Sequence, residues 1–128
     1  MAGKKILVVD DEEQIVHILV QALSRHGFEV ITAADGRQGL VKVRNEHPDL
    51  VILDLRMPEM DGWRACHKIK KDSDTAKTPV IILSGLMSDV DEVTHQELGD
   101  TYVSKPFELD ALVQKVRQLL NEPKGEEK

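Results

Sequence analysis

The chain has 128 residues, 41% of them hydrophobic and 31% charged, with a formal net charge of −6. This length and apolar fraction suit one folded domain with its own core and exclude a disordered chain. The acidic balance, with no basic stripe visible, argues against direct nucleic-acid binding, and the apolar runs are too short to span a membrane.

Strand and helix patterns alternate five times along the chain. Met1 to Lys5 is too short and polar for a signal peptide. The run Ile6-Leu7-Val8-Val9 predicts a first strand over about Lys5 to Val9, ending in Asp10 and Asp11. Unbroken aliphatic runs of this kind suit strands buried on both faces, as in a parallel sheet covered by helices. Ile15, Ile18, Leu19, Ala22 and Leu23 then fall at the spacing of one helical face, and Gly27 closes that helix. A second strand is predicted over Glu29 to Thr32, and Asp35-Gly36 turns the chain. The second helix carries Leu40 and Val43, with Gly39 costing about 1 kcal/mol relative to Ala, and Pro48 ends the unit.

Leu50-Val51-Ile52-Leu53 leads straight into Asp54, predicting a third strand over about Asp49 to Leu53. After a loop from Leu55 to Met60, Asp61 can cap a third helix over Gly62 to Lys71. That helix carries the only cysteine, Cys66, which excludes an internal disulfide and suits a reducing cytoplasm. A polar connector, Asp72 to Thr78, precedes a fourth strand over Val80 to Leu83, which ends at Ser84 and Gly85. The fourth helix, about Asp89 to Leu98, has a thin apolar face of Val90, Val93 and Leu98. A fifth strand over Thr101 to Val103 runs into Lys105-Pro106. The final helix, about Phe107 to Leu120, shows a full stripe of Leu109, Leu112, Val113, Val116, Leu119 and Leu120. Residues 1–120 therefore read as one domain, and residues 121–128 as a charged tail.

Five such units predict an α/β fold, a five-stranded parallel sheet with helices on both faces. Ligands of such sheets collect at the carboxyl edge. There the strand ends would bring together Asp10, Asp11, Asp54, Ser84 and Lys105. Three acids at one edge repel each other unless a hard cation sits among them or one is a nucleophile, which points to phosphate chemistry with Mg²⁺. Each residue alone also has a plain structural reading. Asp10 or Asp11 could cap a helix, Asp54 could serve a turn, Lys105 could be solvated, and Tyr102 could be a half-buried strand residue. Asp61-Gly62 combines a turn with a cap. His17, His26, His47, His67 and His95 lack metal-ligand spacing and read as surface or satisfied histidines.

Four motifs recur together. They are Ile6-Leu7-Val8-Val9-Asp10-Asp11-Glu12, the stretch from Leu53 to Gly62, Val80-Ile81-Ile82-Leu83-Ser84-Gly85, and Tyr102-Val103-Ser104-Lys105-Pro106-Phe107. As a set they resemble the receiver domain of two-component response regulators, of the chemotaxis-receiver type, over about Lys4 to Leu120. The resemblance implies a doubly wound, flavodoxin-like sheet of strand order 2-1-3-4-5. It implies Asp54 as phosphoacceptor, forming an acyl phosphate with a phosphohistidine donor. Mg²⁺ would be held by Asp10, Asp11, Asp54 and the backbone carbonyl of Arg56. Lys105 and Ser84 would stabilise the phosphoryl oxygens, and Ser84 and Tyr102 would form the switch. Pro106, after a cis Lys105–Pro106 bond, would join Asp61 and Gly62 as structural residues.

The implied partners are a sensor histidine kinase or phosphotransfer protein, and a downstream effector reached through the fourth helix, fifth strand and final helix. Phosphorylation-dependent homodimerisation is left open. No DNA-binding helix pair or catalytic domain follows Leu120, so output is expected from a partner or from a domain beyond this sequence, with a stand-alone receiver the favoured expectation. Ser84 stands where threonine is also common, and Leu98-Gly99-Asp100-Thr101 departs from the family's run before the last strand. Arg56 and Leu86, two residues past Asp54 and Ser84, are expected to slow self-dephosphorylation. The alternative, a Mg²⁺-dependent Asp-nucleophile phosphohydrolase, needs a second acid two residues after the nucleophile, where this chain has Arg56. A flavin module would need a small polar phosphate loop after strand one, where Asp10-Asp11-Glu12-Glu13 would repel phosphate. The expected protein is a switch and not a turnover enzyme, limited to self-phosphorylation from small donors and slow self-dephosphorylation.

Overall fold

A computed structural model describes residues 3–55, 57, 62–85 and 100–120. Five strands, β1 (Lys5–Val9), β2 (Glu29–Ala33), β3 (Leu50–Asp54), β4 (Val80–Ser84) and β5 (Thr101–Ser104), form one sheet in the order β2-β1-β3-β4-β5. Every neighbouring pair is parallel. Among the described residues the helices are α1 (Glu13–Arg25), α2 (Gly36–Glu46), α3 (Gly62–Lys71) and a final helix (Leu109–Leu119). The expected fourth helix, the tail 121–128, and the side chains of Arg56, Asp61 and Leu86 lie outside the described residues. The strand order reverses at β1, which has β2 on one side and β3 on the other. A crevice therefore opens beyond the carboxyl ends of β1 and β3.

The aliphatic runs are continuous because both faces of the sheet are covered. Leu7, Val9, Val51 and Leu53 pack against Leu40 and Val43 of α2 and Ala65, Cys66 and Ile69 of α3. Ile6, Val8, Leu50 and Ile52 face the other way, onto Leu19 and Leu23 of α1 and Leu112, Val113 and Val116 of the final helix. One expectation is corrected. Ile18 was placed on the buried face of α1, yet it is 43% exposed. The face that packs is centred on Leu19 and Leu23, with Ile15 and Val16 beside them, and Ile18 lies one 100° step around the helix from Leu19.

The helix boundaries follow from local chemistry. Asp35 caps α2 by accepting from the Gln38 backbone N–H at 2.8 Å. Gly27, with φ at +89°, follows the end of α1 in a conformation that a side chain would resist. Gly39 has a packing reason for its cost within α2, because a Cβ there would stand 3.0 Å from Val9 Cγ2. The helix therefore seats closely on β1.

Strand starts are closed by carboxylates. Asp49, just before β3, accepts from the Lys5 N–H at 2.7 Å, and its own N–H donates to the Lys5 carbonyl at 2.7 Å. Asp100, just before β5, repeats the device on β4. Its Oδ2 accepts from the Val80 N–H at 2.7 Å and from Lys70 Nζ at 2.7 Å. Lys70 Nζ also donates to the Thr78 carbonyl at 2.8 Å, which ties the connector before β4 to α3. The atypical stretch ahead of the fifth strand thus supplies a carboxylate with a defined task. Asp100→Ala should lower the unfolding free energy by about 1–2 kcal/mol, since the first N–H of β4 and the Lys70 ammonium lose a shared acceptor. Urea unfolding measures this, and an unchanged midpoint would show that solvent replaces the carboxylate without cost.

Candidate functional site

The parallel register places the acids. Val9 pairs with Leu53, so the next residue of each chain segment, Asp10 and Asp54, stands side by side at the carboxyl edge. Asp10 is 2% exposed and Asp54 3%, whereas Asp11 is exposed. Carboxylate oxygens of Asp10, Asp11 and Asp54 all lie within 4.8 Å of one another. Ser84, fully buried, ends β4 one residue beyond Leu83, the register partner of Asp54. Lys105 follows β5, with its N–H donating to the Ser84 carbonyl at 2.7 Å and a cis bond to the exposed Pro106.

The Lys105 ammonium reaches back across the edge to the acids. It lies 2.7 Å from Glu12 Oε1, 3.2 Å from Asp10 Oδ2 and 3.5 Å from Asp54 Oδ2. The contact to Glu12 is an aligned hydrogen bond, whereas the one to Asp10 is an ion pair by distance. The Glu12 side chain is a partner that sequence reasoning missed. It follows the acid pair directly, but a run of acids past a strand end does not reveal which one a distant lysine selects.

Gly62 seats the start of α3 against β3. Its N–H donates to the Leu55 carbonyl at 2.9 Å, and a Cβ there would lie 2.6 Å from Leu55 Cα and collide with the Asp54 carbonyl oxygen. Tyr102, on β5, is half-buried against the cluster under α2 and α3. Its hydroxyl is buried and finds no hydrogen-bond partner among the described residues. Arg56 and Asp61 lie outside the described residues.

Asp10 and Lys105 titrate away from their ordinary values. Burial pushes the Asp10 carboxyl up, against the Glu12 N–H and the Lys105 ammonium, which favour its anion. Lys105 is pulled down by its own burial as the largest single effect. Glu12, Asp10 and Asp54 together outweigh that and hold it above the usual lysine value. Asp10 Oδ1 accepts from the Glu12 N–H at 2.9 Å, while buried Oδ2 accepts no hydrogen bond. An acceptor of that kind, beside two further carboxylates, fits a small divalent cation, which takes oxygen ligands from one or two carboxylates and keeps several waters. Asp10, Asp11 and Asp54 are thus a donor set that could hold such an ion.

Across residues 6–117 the chain matches the family described as response regulator receiver domain, and it belongs to that family. It is 48% identical over 118 residues to the "Probable transcriptional regulator ycf27" of Cyanophora paradoxa. It is 40% identical over 119 residues to the alkaline phosphatase synthesis transcriptional regulatory protein PhoP of Bacillus subtilis (strain 168). These alignments cover 91% and 92% of this chain but 48% and 49% of the relatives, so the chain spans about half the length of the curated relatives it matches. Among solved structures, it resembles the receiver domain of sensor histidine kinase PA1611 from Pseudomonas aeruginosa PAO1, a structure with a magnesium ion coordinated in the active site cleft. The TM-score is 0.86 at 27% identity, covering 94% of this chain and 99% of that one. The flavodoxin-like fold and the two-component receiver class expected from the sequence are both established by these matches.

The raised Asp10 has a stability consequence. Because the folded protein holds this proton more tightly, the contribution is full below the ordinary carboxylate value of 3.8 and is lost as the pH rises through the folded value. Asp10→Asn keeps an acceptor for the Glu12 N–H and leaves Glu12 and Asp54 beside Lys105. Without divalent cations it should unfold at a higher temperature than the native chain near neutral pH, and the gain should shrink toward about pH 4. A variant less stable than the native chain near neutral pH would contradict the sign.

Proposed function

We propose that this receiver domain takes a phosphoryl group onto Asp54 from the phosphohistidine of a sensor histidine kinase or phosphotransfer protein, and acts as a switch rather than a turnover enzyme. The observation that carries this reading is the convergence of three carboxylates within 4.8 Å, with the Lys105 ammonium 3.5 Å from Asp54. An Asp54 oxygen attacks the phosphorus in line. The phosphorus–nitrogen bond breaks, its electron pair leaves on the donor imidazole, and Asp54 becomes an acyl phosphate. Asp10, Asp11, Asp54 and the backbone carbonyl of Arg56 would hold Mg²⁺, which would supply positive charge to offset the crowded acids and the phosphoryl oxygens.

Lys105 exchanges part of its carboxylate contact for a phosphoryl oxygen. Ser84 donates its hydroxyl to another, and its movement toward Asp54 opens space into which Tyr102 turns. Pro106, Asp61 and Gly62 shape the loops that hold these groups. The signal leaves through β5, the final helix and the segment 89–98 toward an effector, which is a separate protein or a further domain in a longer chain. Matching relatives named as transcriptional regulators, with about twice the length, support the second arrangement. Residues 1–120 form the receiver unit and 121–128 a tail, and the domain works in the cytoplasm. Among the described residues no helix is long and apolar enough to cross a membrane.

Incubation with Mg²⁺ and acetyl phosphate should add a single phosphoryl group, seen by intact mass. Asp54→Ala should abolish the adduct, and a chelator should prevent its formation. Catalytic turnover of phosphate esters, or no adduct at all, would overturn the reading. The adduct should persist for minutes or longer, since Arg56 and Leu86 flank the site in sequence. Its loss within seconds would remove the role assigned to those two residues.

A further inference from the structure

Glu12 stands at the N-cap of α1, but its side chain makes no capping hydrogen bond. Short polar residues are favoured at that position, because their side-chain oxygen meets an orphan N–H of the first turn. The Glu12 carboxylate instead reaches Lys105, 93 positions away, and Oε1 accepts from Nζ at 2.7 Å. We propose that Glu12 is a positioning residue for Lys105. It draws the ammonium off the buried acids, so that Asp10 and Asp54 stay open to a divalent cation. The role rests on the reading of Asp10, Asp11 and Asp54 as ligands of that ion.

Glu12, Asp10 and Asp54 compete for the ammonium, and burial alone would send it to the two aspartates. Attraction between charges strengthens as water is excluded. Asp10 and Asp54 are almost fully buried, while the Glu12 side chain is 58% exposed. The observed order is the reverse. Glu12 stands nearest at 2.7 Å, Asp10 Oδ2 next at 3.2 Å and Asp54 Oδ2 farthest at 3.5 Å. Alignment favours Glu12 over Asp10 as well. Lys105 makes a hydrogen bond to Glu12, whereas buried Asp10 Oδ2 accepts none among the described residues. A buried carboxylate oxygen without a donor is costly, and a coordinating cation removes that cost.

Glu12 fixes both sides of this arrangement. Its N–H holds Asp10 Oδ1 at 2.9 Å, so Oδ2 is the oxygen left near the ammonium. Its side chain then takes the aligned bond from Lys105. Without that carboxylate, Lys105 would settle onto Asp10 and Asp54, and an arriving ion would have to displace it. An ion pair with an exposed partner contributes little to stability by itself, so the worth of this one lies in where it leaves the ammonium. A carboxylate this near the acids also attracts a cation directly, with no lysine involved. Shortening the side chain, and removing the lysine, separate the two effects.

Calorimetric titration with magnesium chloride reads the role without any turnover. Glu12→Ala should weaken Mg²⁺ binding by about threefold to tenfold, the size expected of an ion pair with one exposed partner. Glu12→Asp keeps the charge on a side chain one methylene shorter, and should weaken binding by a similar factor. In a Lys105→Met chain, the further change Glu12→Ala should alter the affinity by less than about twofold, because the lysine through which Glu12 acts is gone. Thermal unfolding confirms that each variant is folded. Native affinity in Glu12→Asp, or an undiminished loss in the Lys105→Met chain, would assign the effect to charge alone and overturn the proposal. Native affinity in Glu12→Ala would overturn it as well. Each of these results leaves the Asp54 adduct of the native chain standing, whereas a native chain that binds no Mg²⁺ overturns the ligand reading and the proposal together.

Discussion

One ammonium group holds together a set of acids that would otherwise push apart. Lys105 Nζ lies 2.7, 3.2 and 3.5 Å from oxygens of Glu12, Asp10 and Asp54. Asp10 and Asp54 are almost fully buried, so their mutual repulsion is poorly screened. The consequence is visible in Asp10, whose burial holds its carboxyl above the ordinary range despite the lysine beside it. Among the described residues, one positive charge faces three or four negative ones, which leaves the pocket short of cation. That deficit, more than any one distance, is why the site suits a divalent ion and an incoming group that the ammonium can also contact.

The scaffold exists to place that ammonium. Lys105 comes from the far edge of the sheet, while Asp10 comes from its second strand and Asp54 from the middle. Each is fixed by ladder register, and register is fixed in turn by what lies on both faces of the strands. Close seating matters at two glycines. Gly39 brings α2 down onto Val9, next to Asp10, and Gly62 lets α3 begin against Leu55, next to Asp54. The opposite edge is locked by Asp49 and Asp100, each accepting from the first N–H of a neighbouring strand. Precision at the carboxyl edge therefore depends on chemistry at both ends of the strands.

Much of this was legible because it follows from periodicity. The buried runs, Gly27 and the span of α3 all appear at their expected positions, since each rests on local chemistry that tertiary contacts reinforce; Asp35, read from sequence only as part of a turn, also caps α2. The strand order came from the family resemblance, because periodicity cannot say which parallel strands are neighbours. Ile18 was misplaced because a five-residue apolar set is wider than the stripe α1 buries. The role of Glu12 could not be read from its acidic run, since it depends on a lysine 93 positions away. Asp100 looked like a defect in a motif and is instead a hydrogen-bonded strand cap.

Glu12 gives the pocket an asymmetry that the buried acids alone would lack. Its side chain is more than half exposed, so losing its bond to Lys105 returns a carboxylate to water at little cost. Asp10 and Asp54 have no such exit, because their burial makes an uncompensated charge expensive. Were a phosphoryl oxygen to reach Lys105, as proposed, the contact easiest for the ammonium to surrender would therefore also be its shortest one. An exposed partner can hold the ammonium over the edge in the resting protein and release it without disturbing the acids beneath. The arrangement separates the group that positions the lysine from the groups whose charge it must balance.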